Sequence, residues 1–302
     1  MPAFEILAAG AGTTLQDGGR PGWSSLAVGR SGPADPVAAT RANRIVGNRE
    51  HDALIEVALG GLVVRALTDV TLALTGAPCP TTTSGPTPSH PGLDVPFDLR
   101  AGGTLALGLP RHGVRTYLAV RGGIVGGATA VGTTIEPVLG SLSTDVLGSI
   151  GPLPLVAGDR LTVGPPHGPV IVDVAPVREQ SDRGAPLVIR LEPGPRADWC
   201  VDAISSLTTP TWTVQADSNR VALRLEGPPL VRSVRPDGRT ELPPEGIVLG
   251  AVQIPPNGLP VVFGVDHPTT GGYPVVAVVV PADNPALAQL RPGEQLRFIA
   301  GR

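Results

Sequence analysis

The chain has 302 residues, 41% of them hydrophobic and 16% charged, with a formal net charge of −3. That length suffices for two ordinary domains or one large β domain with a sizeable core. The charge is too weak and too mixed for a nucleic-acid surface, which needs a basic stripe, and no apolar run reaches the length of a membrane span. The first ten residues carry Glu5 and no basic n-region, unlike a secretory signal. Two cysteines, Cys79 and Cys200, are too few for a disulfide framework and have no base near them in sequence. Both read as buried small hydrophobes, and the whole reads as a cytoplasmic protein. The 40 glycines and 35 prolines are the punctuation of many short strands rather than long helices. No lysine is present: all 23 basic residues are arginine. That excludes a P-loop lysine, Schiff-base chemistry, a lysine base and a biotin-attachment lysine.

In chain order, residues 4–15 predict an opening strand and turn. A Gly- and Pro-rich loop follows through Gln16-Asp17-Gly18-Gly19-Arg20-Pro21-Gly22-Trp23 and Gly29-Arg30-Ser31-Gly32-Pro33. Asp35 then caps a helix, with Pro36 at its first position, an apolar stripe of Val37, Ala38, Ala42, Ile45 and Val46, and Gly47 as its stop. Strands are predicted at 55–59, 62–65, 70–75, 95–99, 104–109, 116–120 and 160–163. Residues 122–151 read mostly as loop. Residues 164–186, rich in proline, form the best linker, with a candidate strand at 170–174. Beyond it, strands are predicted at 187–191, 211–215, 221–226, 247–254 and 295–299. Short helices are expected from Asp198 through Leu207 and from Asn284-Pro285 through Leu290.

Residues 261–265 and 275–280 are β-branched runs that read as strands. They flank Asp266-His267-Pro268-Thr269-Thr270-Gly271-Gly272-Tyr273-Pro274. This stretch reads equally as a long hairpin turn or as a polar loop held by two stiff strands, which is how a scaffold presents chemistry. The turns at Ala101-Gly102-Gly103, Ala157-Gly158-Asp159 and Pro292-Gly293-Glu294 each lead into an alternating strand. Residues 60–65 and 227–232 echo each other in the same way. The pattern suggests two β-barrel-like halves of similar build.

Several side chains are chemical candidates. Asp266 suits a ligand contact at a strand end, while His267 is either a general base or an exposed turn histidine. Arg20 and Arg30, each among glycines, can grip a carboxylate or phosphate with two hydrogen bonds, or pair with a surface aspartate. Ser218-Asn219-Arg220 sets three hydrogen-bonding side chains in one turn. Gln253 lies in an apolar strand and needs a partner, either across the strands or in a pocket. The five histidines have no metal-ligand spacing, so no metal site is expected. No Gly-x-Ser-x-Gly elbow surrounds a plausible serine, which excludes an α/β-hydrolase.

The residues also carry a family resemblance. The motifs are Thr13-Thr14-Leu15-Gln16-Asp17-Gly18-Gly19-Arg20-Pro21-Gly22, Arg30-Ser31-Gly32-Pro33-Ala34-Asp35, Ala42-Asn43-Arg44-Ile45-Val46-Gly47-Asn48, Tyr117-Leu118-Ala119-Val120-Arg121-Gly122-Gly123-Ile124 and Leu139-Gly140-Ser141-Leu142-Ser143-Thr144-Asp145. The second half adds Ser218-Asn219-Arg220-Val221-Ala222-Leu223-Arg224-Leu225, Gly250-Ala251-Val252-Gln253-Ile254-Pro255-Pro256 and Thr269-Thr270-Gly271-Gly272-Tyr273-Pro274. They span nearly the whole chain. The chain resembles the family called allophanate hydrolase subunit 2, also the KipA or biotin-dependent carboxyltransferase-like family, associated with the C component of the bacterial three-part 5-oxoprolinase.

The resemblance implies a mainly β fold of two cyclophilin-like β-barrel domains with a few short helices. The halves are set at 1–168 and 187–302, with a 169–186 linker and strand exchange between halves as an open option. It implies a partner of the 5-oxoprolinase B type (KipI-like, allophanate hydrolase subunit 1), an A-type component of the LamB/YcsF kind, a small-molecule substrate, and ATP bound in the assembled complex. Biotin is not attached to this chain. The implied activity is opening of the lactam of 5-oxoproline to glutamate, with the chain inactive alone. The alternatives are a urea-carboxylase-like carboxyltransferase module and a KipA-like regulator that sequesters a KipI-like kinase inhibitor. The candidate catalytic set is Asp266, Thr269, Thr270, Tyr273 and Gln253. The candidate substrate- or anion-binding set is Arg20, Arg30, Ser31, Asn219, Arg220, Gly271 and Gly272. Family members often read Asp-Arg-Gln-Thr-Thr-Gly-Gly-Tyr-Pro-Lys where this chain has His267, Pro268 and Val275. Losing a cation and an amide changes what this loop can grip.

Overall fold

A computed structural model describes residues 2–86, 88–171, 185–234 and 241–301. The chain divides into two compact units: Met1–Arg20 with Ser31–Val177, and Pro21–Arg30 with Arg178–Arg302. Both are mainly β with a few short helices.

The first unit contains β1 (Pro2–Ala9), β2 (Gly12–Gln16), α1 (Pro36–Ile45), β3 (Leu54–Ala58), β4 (Leu62–Ala66), β5 (Val70–Gly76) and β6 (Thr81–Ser84). It continues through β7 (Pro96–Leu99), β8 (Thr104–Leu107), β9 (Arg115–Val120), β10 (Ile124–Ala128), β11 (Thr134–Ile135) and β12 (Arg160–Val163). A seven-stranded sheet runs β11-β10-β12-β1-β4-β8-β6, and a five-stranded sheet runs β2-β3-β9-β5-β7. The two sheets share one core. Phe4, Ile6, Leu62, Val64, Leu105 and Leu161 from the first meet Leu15, Ile55, Val57, Leu72, Leu74 and Leu118 from the second. Successive strand residues face opposite ways, so Leu54, Ala73, Tyr117 and Ala119 point away from that core. There α1 covers them with Ala38, Ala39, Ala42 and Ile45. The five-stranded sheet is thus buried on both faces, which is why all six residues of β9 are buried. The start of α1 follows the sequence: Asp35 Oδ1 accepts the Ala38 N–H at 3.0 Å and Pro36 opens the helix, a cap that contributes about 1 kcal/mol.

The second unit contains β13 (Leu187–Pro193), α2 (Ala203–Thr208), β14 (Thr211–Val214), β15 (Ala222–Glu226), β16 (Glu245–Gly246), β17 (Ala251–Gln253), β18 (Val261–Phe263), β19 (Thr270–Gly271), β20 (Val275–Val279), α3 (Asn284–Leu287) and β21 (Gln295–Ala300). Seven of these strands form a closed barrel in the order β13-β20-β17-β18-β15-β14-β21. Closure is made by parallel pairing of β13 with β21, from Leu187 opposite Leu296 to Leu191 opposite Ala300. Its core holds Ile189, Leu225, Val252, Val262, Val276 and Phe298. The buried Trp212 indole donates to the Leu207 carbonyl at 2.9 Å, so its polar edge is satisfied as its ring fills the core.

Several local expectations are corrected. The strand expected at 247–254 is only Ala251–Gln253, because Gly250 adopts a positive φ (+80°) that breaks the extended run. The helix from Asp198 is a 3-10 turn at Ala197–Trp199, and α2 begins after Asp202, itself left-handed at φ +44°. The last helix stops at Leu287 rather than Leu290. The loop expected over 122–151 contains β10, whose two glycines weaken the strand signal, and β11, too short at two residues to give one. Strand β6 forms in the Thr- and Pro-rich stretch, where the sequence predicts none. Residues 101–107, 157–163 and 292–298 do each place a turn before a strand, whereas 227–232 forms no strand to match β4. Of the candidate strand at 170–174, residues 170 and 171 are not extended strand and the rest lie outside the described residues, as does most of the linker. Among the described residues no helix is long and apolar enough to cross a membrane.

Candidate functional site

In the second unit, the loop after β18 is fixed from beneath. Arg220 reaches Asp266 with two hydrogen bonds, Nε to Oδ2 at 2.8 Å and Nη2 to Oδ1 at 3.1 Å. Both side chains are buried, the carboxylate completely. The pairing arises because Asn219 turns the chain just before β15: its Oδ1 accepts the Val221 N–H at 2.8 Å. Arg220 therefore enters the interior while Asn219 stays exposed. The Gln253 side chain donates from Nε2 to the Tyr273 carbonyl at 2.8 Å, tying β17 to the far end of the same loop. Gly271 lies close beside it, where an added Cβ would stand 2.9 Å from Gln253 Nε2 and push that amide aside. The middle of the loop is held by a two-residue ribbon, with Gly246 opposite Thr270 and Glu245 opposite Gly271. The Thr269 carbonyl accepts the Ile247 N–H at 3.0 Å.

The outer rim of the loop stays accessible. Thr270 and Tyr273 are exposed, while Thr269, Gly271 and Gly272 are half-buried. The Arg232 guanidinium lies over the Tyr273 ring, 5.9 Å from its centre, and its Nη2 donates to the Ile254 carbonyl at 2.8 Å. That stack sets a cation beside a phenol. His267 is half-buried, its Nδ1 2.8 Å from the Pro268 carbonyl and its ring edge-on to Phe263. Nearby, Arg196 forks onto Glu245 and holds that carboxyl below the usual range, mainly by hydrogen bonding. Arg30 is exposed and groups with this unit.

In the first unit, two signature motifs lock together. Asp17 Oδ1 accepts the Ser141 hydroxyl at 2.5 Å, the Ser143 hydroxyl at 2.7 Å and the Gly19 N–H at 2.8 Å. Its Oδ2 accepts the Leu142 N–H at 2.7 Å. Arg20 is buried beside it and donates to the carbonyls of Val138 (3.3 Å), Ser141 (3.4 Å) and Ser143 (2.5 Å). Ser31 is buried, left-handed at φ +55°, and donates to the Thr144 carbonyl at 3.1 Å. Arg20 and Ser31 thus both turn toward 138–144, where they grip backbone carbonyls.

A second buried network supports the segment after Ser31. The Tyr117 hydroxyl donates to Glu56 Oε2 at 2.9 Å and accepts the Asp35 N–H at 2.7 Å. Glu56 Oε2 also accepts the Ala34 N–H at 2.9 Å, and Arg115 lies 3.3 Å from Oε1. Burial, reinforced by the Glu56 and Asp35 charges, holds the phenol well above the usual tyrosine range.

Sequence reasoning does not single out Asp17, Ser141, Ser143, Glu56, Tyr117 or Arg232 as partners of the candidates. The available signal is that the Asp17 and Ser141 motifs are both polar loops lacking any nearby partner. Of the cysteines, Cys200 is buried, with its thiol pushed up by desolvation, and Cys79 is only partly buried. Among the described residues no group of three or more His, Cys, Asp or Glu side chains could hold a metal ion.

Comparison with known proteins gives the lineage. Residues 26–300 match the family model for the carboxyltransferase domain, subdomain A and B. The chain is 36% identical over 300 residues to the C component of 5-oxoprolinase from Escherichia coli, covering 98% of this chain and 90% of that one. It is 30% identical to the Haemophilus influenzae protein of the same name, with 98% and 91% covered. Urea amidolyase of Saccharomyces cerevisiae is also 30% identical, but this chain covers only 16% of it. Among solved structures, TTHA0988 matches with a TM-score of 0.81 and 34% identity over 99% of this chain. The chain spans little more than half of that protein, 55%. The K. lactis urea amidolyase matches with a TM-score of 0.86 and 28% identity over 100% of this chain and 19% of its own. With the family model covering nearly its whole length, this chain belongs to the carboxyltransferase domain family, subdomains A and B.

Proposed function

We propose that this chain is the C component of an ATP-dependent 5-oxoprolinase, acting with components of the B (KipI-like) and A (LamB/YcsF) types and inactive alone. The observation that carries the reading is the 36% identity to the Escherichia coli C component, which runs through nearly the full length of both proteins. A lactam is a stable amide, and ATP supplies the activation that makes its carbonyl carbon open to water. This chain's part is to orient the lactam and to present donors where oxyanion charge develops.

The exposed rim of the second unit, Thr270 and Tyr273, is the part a substrate reaches, supported by the half-buried Thr269 and the Gly271–Gly272 backbone, and Arg30, exposed in the same unit, is a further candidate for gripping a carboxylate. Asp266, Arg220, Gln253 and Asn219 keep that rim in place and do not touch the reacting atoms. Arg20 and Ser31 serve the loop at 138–144 in the same supporting sense. This chain offers no P-loop type of nucleotide site. It has no lysine, and Arg20 and Arg220 already hold carbonyls and a carboxylate. The phosphates of ATP therefore belong mainly to the assembled complex.

Reconstitution tests the reading. The three purified components together convert 5-oxoproline and ATP to glutamate, and omission of this chain abolishes turnover. Full turnover without it ends the proposal. A second reading, a urea-carboxylase-type carboxyltransferase, is favoured by the TM-score of 0.85 to the Kluyveromyces lactis urea carboxylase over 100% of this chain. It requires a separate biotin carrier, since a lysine-free chain cannot carry biotin. It fails if no biotinylated chain co-purifies and biotin binding is undetectable.

A further inference from the structure

The first unit holds a cavity of about 300 Å³ where β4 turns into β5 and where β9 and β12 end. Its polar wall comes from Thr68, Asp69, Thr71 and Arg121. Backbone contacts fix the rim. Leu67 N–H donates to the Ala3 carbonyl at 2.8 Å, Arg121 N–H to the Thr71 carbonyl at 2.9 Å and Gly164 N–H to the Gly123 carbonyl at 3.0 Å. Gly122 has a positive φ of +96°, and a Cβ there would stand 2.1 Å from the Gly164 carbonyl oxygen. Only glycine suits that position, so Arg121 is carried into the wall on a tightly packed turn.

Arg121 is half-buried, yet among the described residues its guanidinium has neither a hydrogen bond nor an ion pair. The other described arginines without a side-chain partner, Arg30, Arg49, Arg111 and Arg297, are all exposed. Water serves those four, whereas a partly desolvated cation loses hydration and gains nothing in return. The carboxylates around the cavity are already committed. Asp69 accepts Arg100 Nη1 at 2.8 Å and the Ala101 N–H at 2.9 Å. Asp98, opposite Thr71 in register, accepts the Thr71 hydroxyl at 2.8 Å. With Asp69 neutralised by Arg100, the uncompensated charge of the wall is that of Arg121. Thr68 adds an exposed hydroxyl that is likewise unbonded among the described residues. The rest of the wall is apolar, from Ala3, Val70, Val163 and Pro166.

We infer that this cavity binds a small organic carboxylate, with Arg121 forking onto the carboxylate and Thr68 adding a third donor. A guanidinium matches a carboxylate with two parallel hydrogen bonds. The volume lies at the lower end of ligand pockets, about 300–1,000 Å³, so the molecule is small. The apolar wall takes a short hydrocarbon body, which an inorganic phosphate lacks. The site uses none of the residues assigned to the rim of the second unit, so it stands whether or not the chain serves a 5-oxoprolinase.

The test titrates the full chain, at constant ionic strength, with acetate, butyrate, succinate, glutamate and 5-oxoproline. Binding is read by nuclear magnetic resonance from the Arg121 Nε–H signal, identified by its loss in R121Q, and from the backbone amides of Gly122 and Gly164. At least one of the five saturates these shifts with a Kd of about 1 mM or below. R121Q weakens that binding about tenfold or more, and so does T68E, whose added carboxylate competes for Arg121. R111Q removes an exposed cation outside the cavity and binds as wild type. Melting curves check each fold, and T68E, at an exposed position, decides the matter should R121Q not fold. The inference is overturned if none of the five carboxylates moves these signals, or if R121Q and T68E bind as wild type does. An equal loss in R111Q shows diffuse charge attraction and also overturns it. Inorganic phosphate binding as tightly as the best carboxylate, at the same signals, makes the carboxylate assignment wrong.

Discussion

Arg220 and Asp266, 46 residues apart in sequence, meet as a buried pair with two hydrogen bonds of 2.8 and 3.1 Å. The pair joins the turn before β15 to the loop after β18. Removing one member leaves the other charged and without its counter-ion in the interior, which costs about 3–5 kcal/mol.

Asp266→Asn is therefore expected to lower the stability of the second unit by about 3–5 kcal/mol, read from urea unfolding. The R220M/D266L double variant should recover a large part of the loss, because buried ion pairs are often replaceable by apolar residues of similar volume. An unchanged unfolding midpoint for Asp266→Asn would show that the pair does not hold the loop. Full stability with lost turnover in the reconstituted complex would instead return Asp266 to the reacting atoms.

Much of the fold was legible because its signals are local. The alternation of Val70, Leu72 and Leu74, the cap at Asp35-Pro36 and the β-branched runs at 261–265 and 275–280 each act within a few residues. The missing strand β10 contains two glycines and is held by pairing with β12, more than 30 residues on, while β11 has only two residues and pairs back onto β10. The candidate site was legible as a set of motifs but not as a set of partners. No local rule joins Asp17 to Ser141, 124 residues later, or Tyr117 to Glu56, 61 residues earlier. Such pairs form only when tertiary structure brings two loops together.

Asp17 is the centre of the first unit's loop lock, with Gly19, Ser141, Leu142 and Ser143 all donating to its carboxylate. Asp17→Ala should cost about 3 kcal/mol or more, since each hydrogen bond to a charged acceptor is worth roughly 1.5–3 kcal/mol and some donors stay buried. Thermal melting measures the loss, and hydrogen exchange should quicken at Leu142 and Ser143 first. Unaltered protection there would mean that Arg20 alone holds the loop.

Gly140 and Gly151 separate backbone strain from collision within the same stretch of chain. Both have positive φ, +80° and +87°. A Cβ at Gly140 meets nothing within 4 Å, whereas one at Gly151 meets the Ser143 carbonyl at 2.3 Å and Arg20 Nη2 at 2.5 Å. Gly140→Ala is expected to cost about 1 kcal/mol, the strain alone. Gly151→Ala should cost clearly more and loosen Arg20 as well. Equal losses in parallel urea titrations would show that the chain gives way around Arg20 without penalty.

Tyr117 makes the protein sensitive to alkali. Its phenol is fully buried against Glu56 and Asp35, and its folded pKa is raised well above the usual value of 10.0, chiefly by desolvation. An unfolded tyrosine ionises near pH 10. The folded state keeps its proton longer, so folding binds a proton above that pH. The stability contributed by this group is complete below about pH 10 and is lost as pH rises from there toward the folded value. The chain has two tyrosines, so a Tyr273→Phe variant isolates the Tyr117 signal. In that variant the phenolate absorbance should rise only together with alkaline unfolding followed by circular dichroism. A phenolate band that appears while the fold persists would mean that the Glu56–Tyr117–Asp35 network opens to solvent in the native state.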